Sequence, residues 1–399
     1  MTSDHGETAT RTGRSPRLRV LSVFGTRPEA IKMAPVVREL ERFPEVSSSV
    51  CVTGQHRELL DDVLDTFAIT PHHDLNVMRP GQSPMGVAAD VLRGLEPVLV
   101  ETLPDWVLVQ GDTTTAAMAG LAAFYGGARV AHVEAGLRSH APREPFPEEI
   151  NRRVAGVLAD LHFAPTEASR QNLLAEGVPA DAVLVTGNTV VDALELARST
   201  PPPSAGPLAS LPADRRIVLV TAHRRESFGA PLQRICAAVA ELVAAFPDIH
   251  VAFPVHPNPA VRIAVEDGLA SNDRVTLLPP LGYREMVDLL ERSALVLTDS
   301  GGLQEEAPTL GKPVLVLRDV TERLEAVEAG SARLVGTDAA RIVREASALL
   351  GRPDDYARMA RASNPYGDGQ AARRIVSALR GASPDEWVPE PLPAAAAGR

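Results

Sequence analysis

Residues 106–136 read WVLVQGD, then TTTAAMAGLAAFYGG, then ARVAHVEAG. An apolar run, a helical segment stopped by glycine and a second apolar run make the sequence form of a βαβ unit. Parallel strands joined by a helix point the same way. Asp112 and Glu134, each at the carboxyl end of its strand, therefore face one crevice, and in open α/β sheets that crevice is where ligands bind. Two carboxylates so placed point to acid–base chemistry.

Outward from this unit, strands and helices alternate from RLRVLSVFG (17–25) to ALRGASPDEW (378–387), the signature of parallel α/β architecture. The segment 200–212, TPPPSAGPLASLP, reads as an interdomain connection, and the strand RRIVLVTAH (215–223) follows it. A length of 399 residues suits two cores. The expected division is a first Rossmann-like domain over 17–190 and a second over 191–366. The polar segments 1–16 and 383–399 are expected to be disordered.

The formal net charge is -11 with no basic stripe, which argues against nucleic acid as a partner. Cys51 and Cys236 lie far apart in apolar stretches and read as buried free thiols in a reducing compartment. No apolar run is long enough to span a membrane, and residues 1–17 lack the apolar core of a secretory signal. A cytoplasmic location is expected.

The first strand runs into GTRPEAIKMAPVVREL (25–40), where Gly25 permits a tight turn and Pro28 suits a first helical turn. Arg27 and Lys32 then lie near the helix start, facing the crevice, and arginine presents a donor fork suited to phosphate or carboxylate. No GxGxxG occurs there, so a dinucleotide fingerprint is absent. In VQGDTTTAAM (109–118), Asp112 suits either a helix cap or a site. AHVEAGLRS (131–139) adds His132, Glu134 and Arg138, and PFPEEINRRVAGVLAD (145–160) places Glu148 and Glu149 at a helix start, where acidic residues also suit the helix dipole.

TAHRRESFG (221–229) carries His223 to a strand end, and FPVHPNPAVR (253–262) does the same for His256. No clustered ligand pattern accompanies them, so no metal is expected. LVLTDSGGLQEEAPTLGKPVLV (295–316) is the most specific phosphate signal. Backbone N–H groups at a glycine-rich helix start (Ser300, Gly301, Gly302) bind phosphate oxygens, and Glu306, one turn on, can accept from ribose hydroxyls.

Together GTRPEAIKMAP, TGQHRELL, QGDTTT, HVEAGLR, PFPEEINR, TGNTVVDAL, AHRRESFG, HPNP, TDSGGLQEEAP and NPYGDGQA closely resemble the non-hydrolysing UDP-N-acetylglucosamine 2-epimerases of bacteria. The resemblance covers nearly the whole chain. It implies the GT-B fold: two facing Rossmann-like domains and a C-terminal helix, here about 367–382, crossing back to the first. It also implies a homodimeric isomerase without metal or nicotinamide cofactor. The implied reaction interconverts UDP-N-acetylglucosamine and UDP-N-acetylmannosamine by elimination of UDP to 2-acetamidoglucal and re-addition. A hydrolysing 2-epimerase releasing N-acetylmannosamine and UDP, or a GT-B glycosyltransferase, is the alternative.

By the same resemblance, Asp112, Glu134 and Glu148 form the acid–base set. His223 and Arg27 stabilise the leaving diphosphate, with Lys32 assisting. Ser300, Gly301 and Gly302 hold phosphates, Glu306 the ribose and Met286 the uracil, with Arg138 and His256 as further substrate contacts. Gln55, His56 and Arg57 mark a possible activator site. Three residues depart from the family pattern: Met286 stands where Phe is common, Leu324 where Pro is common, and Glu58 where regulated relatives have Gln.

Overall fold

The computed structural model describes residues 17–54, 57–79, 81–201, 206–321 and 323–389. Two parallel sheets organise them. The first contains β1 (Leu18–Phe24), β2 (Val46–Val52), β3 (His73–Asp74), β4 (Trp106–Gln110), β5 (Arg129–Val133), β6 (Leu161–Ala164) and β7 (Val183–Val185), in the order β3-β2-β1-β4-β5-β6-β7. The second contains β8 (Arg216–Thr221), β9 (Ile249–Pro254), β10 (Val275–Leu278), β11 (Ser293–Thr298), β12 (Val314–Val316) and β13 (Ala332–Leu334), in the order β10-β9-β8-β11-β12-β13.

In each sheet the order reverses beside the strand that opens the lobe, between β1 and β4 and between β8 and β11. A doubly wound sheet has its ligand crevice at such a reversal, outside the carboxyl ends of the strands. The alanine-rich helix Thr114–Tyr125 buries Ala116, Ala117, Ala119, Ala122 and Ala123. Small side chains let it lie close to the sheet, which sets the height of the turn carrying Asp112.

Helix Thr189–Arg198 spans the expected division at residue 190. It packs on Arg27–Leu40 of the first lobe and, to the same extent, on Tyr283–Arg292 and Leu303–Thr309 of the second. It is a strut shared by the two lobes. The crossing helix is present as Ala371–Leu379 and packs on Arg27–Leu40 and Thr189–Arg198. Buried Asp192 caps it, accepting from the amides of Ala371 at 3.2 Å and Ala372 at 2.9 Å. Burial outweighs those amides and pushes the Asp192 carboxyl up to about 6.

The expectation of disorder from residue 383 needs correction up to 389. Trp387 is buried and its amide donates to the Val185 carbonyl at 2.9 Å, covering the β7 edge. Glu386 pairs with Arg170, and Arg374 donates to the Asp385 carbonyl. Proline and alanine content misled the reading, because one tryptophan supplies enough apolar area to dock the segment. The segments 1–16 and 390–399 lie outside the described residues. No helix among the described residues is long and apolar enough to cross a membrane.

Candidate functional site

Strand β1 ends at Gly25, where an added Cβ would stand 1.9 Å from Thr53 Oγ1, so the turn admits only glycine. Thr26 then caps helix Arg27–Leu40 in a capping box with Glu29, whose Oε2 accepts from the amides of Gly25 and Thr26. Glu29 Oε1 also accepts from the Thr113 hydroxyl, tying this turn to the one after β4. Arg27 crosses to the other lobe and donates to the Leu281 carbonyl at 3.1 Å.

After β4, Gly111 turns the chain with a φ of 67°. Thr113, not Asp112, caps the next helix: its hydroxyl accepts from the Ala116 amide. That resolves the two sequence readings of Asp112 against capping. Its carboxylate is instead paired with the buried guanidinium of Arg152, which also holds Glu149 at 2.8 Å.

After β5, Glu134 sits in the left-handed region with a φ of 61°, a costly conformation for a residue with a Cβ and one concentrated at functional sites. Lys32 Nζ lies 2.7 and 2.6 Å from its two oxygens, and Gln110 donates to Oε2. Lys32 also reaches Glu305 at 3.3 Å, and Arg323 stands 3.0 Å from Glu305 and 4.0 Å from Glu134. Burial, with like charge on Glu305, raises the Glu134 pKa despite Lys32. Burial works against the charge on Lys32, but Glu134 and Glu305 outweigh it and its pKa stands above the ordinary value.

The second lobe contributes a buried acid that fixes His223 at the cavity wall. Asp299, fully buried after β11, accepts from the amides of His223 and Arg224 and the hydroxyl of Ser227. Its other oxygen is 2.9 Å from His223 Nδ1. Burial opposes its charge, but these donors hold it below the ordinary aspartate value. The His223 and His256 rings stack at 6.2 Å, and burial, then His223, lowers the His256 pKa. Gly302 begins helix Leu303–Thr309. Glu306 is buried in its first turn, and burial, then Glu305, lifts its carboxyl to about 7.

A cavity of about 520 Å³ lies between the lobes. Arg27 and Lys32 line it from the first lobe; His223, His256, Met286, Ser300, Gly301, Gly302 and Glu306 line it from the second. Arg323, which sequence reading did not single out, joins the wall. Asp112, Glu134 and Glu148 do not line it. Glu134 borders it through Lys32 and Arg323; Glu148 has one buried oxygen, Oε2, without a partner.

Arg138 needs relocation. It makes a two-pronged bond to Glu176 and donates to the Leu137 carbonyl, away from the cavity. Gln55 and His56 lie outside the described residues, and Arg57 opens helix Arg57–Thr66. Gln110, Arg152, Glu305 and Arg323 were not singled out from sequence as site residues. Each acts through a partner far along the chain, and only Glu305, inside the glycine-loop motif, stood in a stretch already marked. Among the described residues no three His, Cys, Asp or Glu side chains group to hold a metal ion.

Residues 38–380 match the family model described as UDP-N-acetylglucosamine 2-epimerase. The chain is 52% identical over 370 residues to the UDP-N-acetylglucosamine 2-epimerase of Salmonella typhimurium strain LT2, covering 91% of this chain and 98% of that one. To the Bacillus subtilis strain 168 enzyme of the same name it is 50% identical over 363 residues, 91% and 95% of the two chains. Among solved structures, the Neisseria meningitidis UDP-GlcNAc 2-epimerase bound to UDP-GlcNAc superposes with a TM-score of 0.84 at 46% identity, covering 91% of this chain and 100% of that one. The Methanocaldococcus jannaschii enzyme, in complex with UDP-GlcNAc and UDP, gives 0.77 at 32% identity with the same coverage. The GT-B-like pair of parallel sheets, the glycine loop facing buried acids and these likenesses agree: the chain belongs to the UDP-N-acetylglucosamine 2-epimerase family.

Proposed function

We propose that the protein catalyses reversible epimerisation at C2 of UDP-N-acetylglucosamine to UDP-N-acetylmannosamine without net hydrolysis. The C2 proton is not acidic, because no carbonyl is conjugated to it. In the proposed route a carboxylate removes that proton while the C1–oxygen bond to UDP breaks, giving 2-acetamidoglucal and UDP. UDP then adds back at C1 as C2 takes a proton on the opposite face. Two faces need two acid–base groups, and such groups work best with pKa values near the working pH.

The observation that carries this reading is Glu134: a buried carboxylate in a left-handed backbone, clasped by Lys32 and Gln110 at the edge of the cavity. Asp112 and Glu148 complete the first-lobe acids. Lys32 couples Glu134 to Glu305 behind the nucleotide loop. We assign Ser300, Gly301 and Gly302 to the phosphates, through backbone donors, Glu306 to the ribose and Met286 to the base. His223 and Arg27 meet the charge that develops on the departing diphosphate, where pre-placed donors act strongly in a water-poor cleft. Lobe closure keeps the glucal from escaping.

The homodimer belongs to the same reading. Val100, Leu103, Phe124, Tyr125 and Val157 are exposed on or beside three helices that pack together, Pro84–Thr102, Thr114–Tyr125 and Glu148–Leu158, and a second copy would cover that face. Tyr125→Asp with Val157→Asp should give a monomer by analytical ultracentrifugation; a wild-type sedimentation profile would move the interface elsewhere. A sugar-nucleotide substrate and two free buried thiols support a cytoplasmic setting.

The reaction is tested by proton NMR of UDP-N-acetylglucosamine turnover in deuterated water. The expected products are UDP-linked sugars carrying deuterium at C2. Turnover without C2 exchange rules out the elimination route, and free N-acetylmannosamine as the end product establishes the hydrolysing alternative.

A further inference from the structure

The turn that carries Asp112 is fastened to the strand that carries Glu134. Gly111 donates its amide to the Val133 carbonyl at 3.0 Å, and its own carbonyl lies 2.7 Å from Nε2 of His132. Both fasteners come from β5, whose Val133 lies opposite Gln110 in the register. The residue before the turn, Gln110, holds Glu134; the residue after it is Asp112. The two carboxylates are thus set relative to each other through one glycine peptide, and a fully buried imidazole fixes that peptide's carbonyl.

The tautomer follows from chemistry. A carbonyl oxygen only accepts, so Nε2 carries the proton and Nδ1 is bare. Nδ1 is buried without a partner. Burial holds the ring neutral, its pKa pushed down to about 3. An imidazole with one nitrogen stranded is a costly choice for a strand interior that valine or leucine could fill. Its one directed bond is the Nε2–H on Gly111. No Cβ at Gly111 would meet another atom within 4 Å, so the glycine serves its φ of 67° rather than a tight space. A left-handed turn relies on its hydrogen bonds to stay in place.

We infer that His132 is a positioning residue of the reaction, aiming Asp112 and, through Gln110, Glu134 by its Nε2–H bond to the Gly111 carbonyl. The inference rests on the acid–base reading of those two carboxylates given above. It predicts loss of turnover without loss of nucleotide binding, because the phosphate loop and His223 belong to the other lobe.

The test compares His132→Phe, which keeps the ring's bulk and discards the donor, with His132→Gln, whose side-chain amide can reach the place of Nε2. A displacement of about 1 Å at a reacting group costs on the order of 10²-fold. His132→Phe should therefore lower kcat and the rate of C2 deuterium incorporation by about 10- to 100-fold. KM and the Kd for UDP should stay within about threefold, and His132→Gln should stay within about fivefold of wild type. If His132→Phe does not fold by circular dichroism, His132→Asn, whose amide matches Nδ1 rather than Nε2, takes its place with the same expectation. Wild-type kcat in the donor-less variant, equal losses in both variants, or a parallel loss of UDP affinity would each overturn the inference. Asp112→Asn and Glu134→Gln are assayed alongside. If both turn over normally, the acid–base reading fails and takes this inference with it. If both are inactive while His132→Phe is normal, only the positioning role fails.

Discussion

Replacing Lys32 by methionine removes the one ammonium between Glu134 and Glu305 while leaving the volume nearly filled. The Lys32 side chain is 9% exposed and Nζ stands 2.6 Å from Glu134 and 3.3 Å from Glu305. Unit charges 2.6 Å apart attract by roughly 6 kcal/mol at an effective dielectric of about 20, offset by several kcal/mol of desolvation. Deleting one partner strands the other, and the net loss is about 3–5 kcal/mol. The loss should depend on pH. Lys32 has a pKa above its ordinary value of 10.5, so its contribution is intact throughout the neutral range and fades only at alkaline pH. Glu134 has a pKa raised above 4.5 by burial, and without the ammonium it rises further. A carboxyl of that kind gives stability that is whole below its ordinary value and lost as pH climbs through the folded value. Lys32→Met should therefore melt near wild type at pH 5 and fall behind by roughly 5–10 °C at pH 8, followed by circular dichroism. Lys32→Arg, which keeps the charge, should recover part of the difference. Equal melting temperatures at pH 8, or a deficit of the same size at both pH values, would refute the reasoning.

Other outcomes are equally checkable. Asp192, raised from 3.8 to about 6, gives stability that is full below 3.8 and lost as pH rises through 6. Asp192→Asn should therefore gain on wild type by about 3 kcal/mol between pH 4 and pH 7, read from urea unfolding across that range. Trp387→Ala should cost about 3–5 kcal/mol by the same method. Met286→Phe should lower KM for the UDP-sugar by about 2- to 10-fold, the worth of an aromatic stack, with kcat little changed in initial-rate assays.

The stretch 106–136 declared its fold because its signals are local: apolar strands, a glycine stop and a repeat of both. The same is true of the glycine loop at 300–302. What stayed hidden depends on partners distant in the chain. Sequence left Asp112 open between cap and site, because it cannot say that Thr113 takes the amide and Arg152 takes the carboxylate. Arg138 beside AGL looked like a ligand contact, yet Glu176 occupies it. The Lys32–Glu134–Glu305–Arg323 group crosses the lobe boundary, and no periodicity encodes such a pairing. Composition near residue 200 likewise gave no sign that helix Thr189–Arg198 would pack on both lobes.

Docking of Trp387 against Val185 has a bearing on how the protein is made. Strand β7 leaves the ribosome long before the tryptophan that covers its outer rim. During that interval the early lobe carries an open rank of unpaired amides and carbonyls, the kind of margin on which nascent chains stick to one another. Trp387 thus acts as a late seal on that rim. Until then the early lobe lacks both the cover of its outer rim and the crossing helix Ala371–Leu379 that packs on Arg27–Leu40.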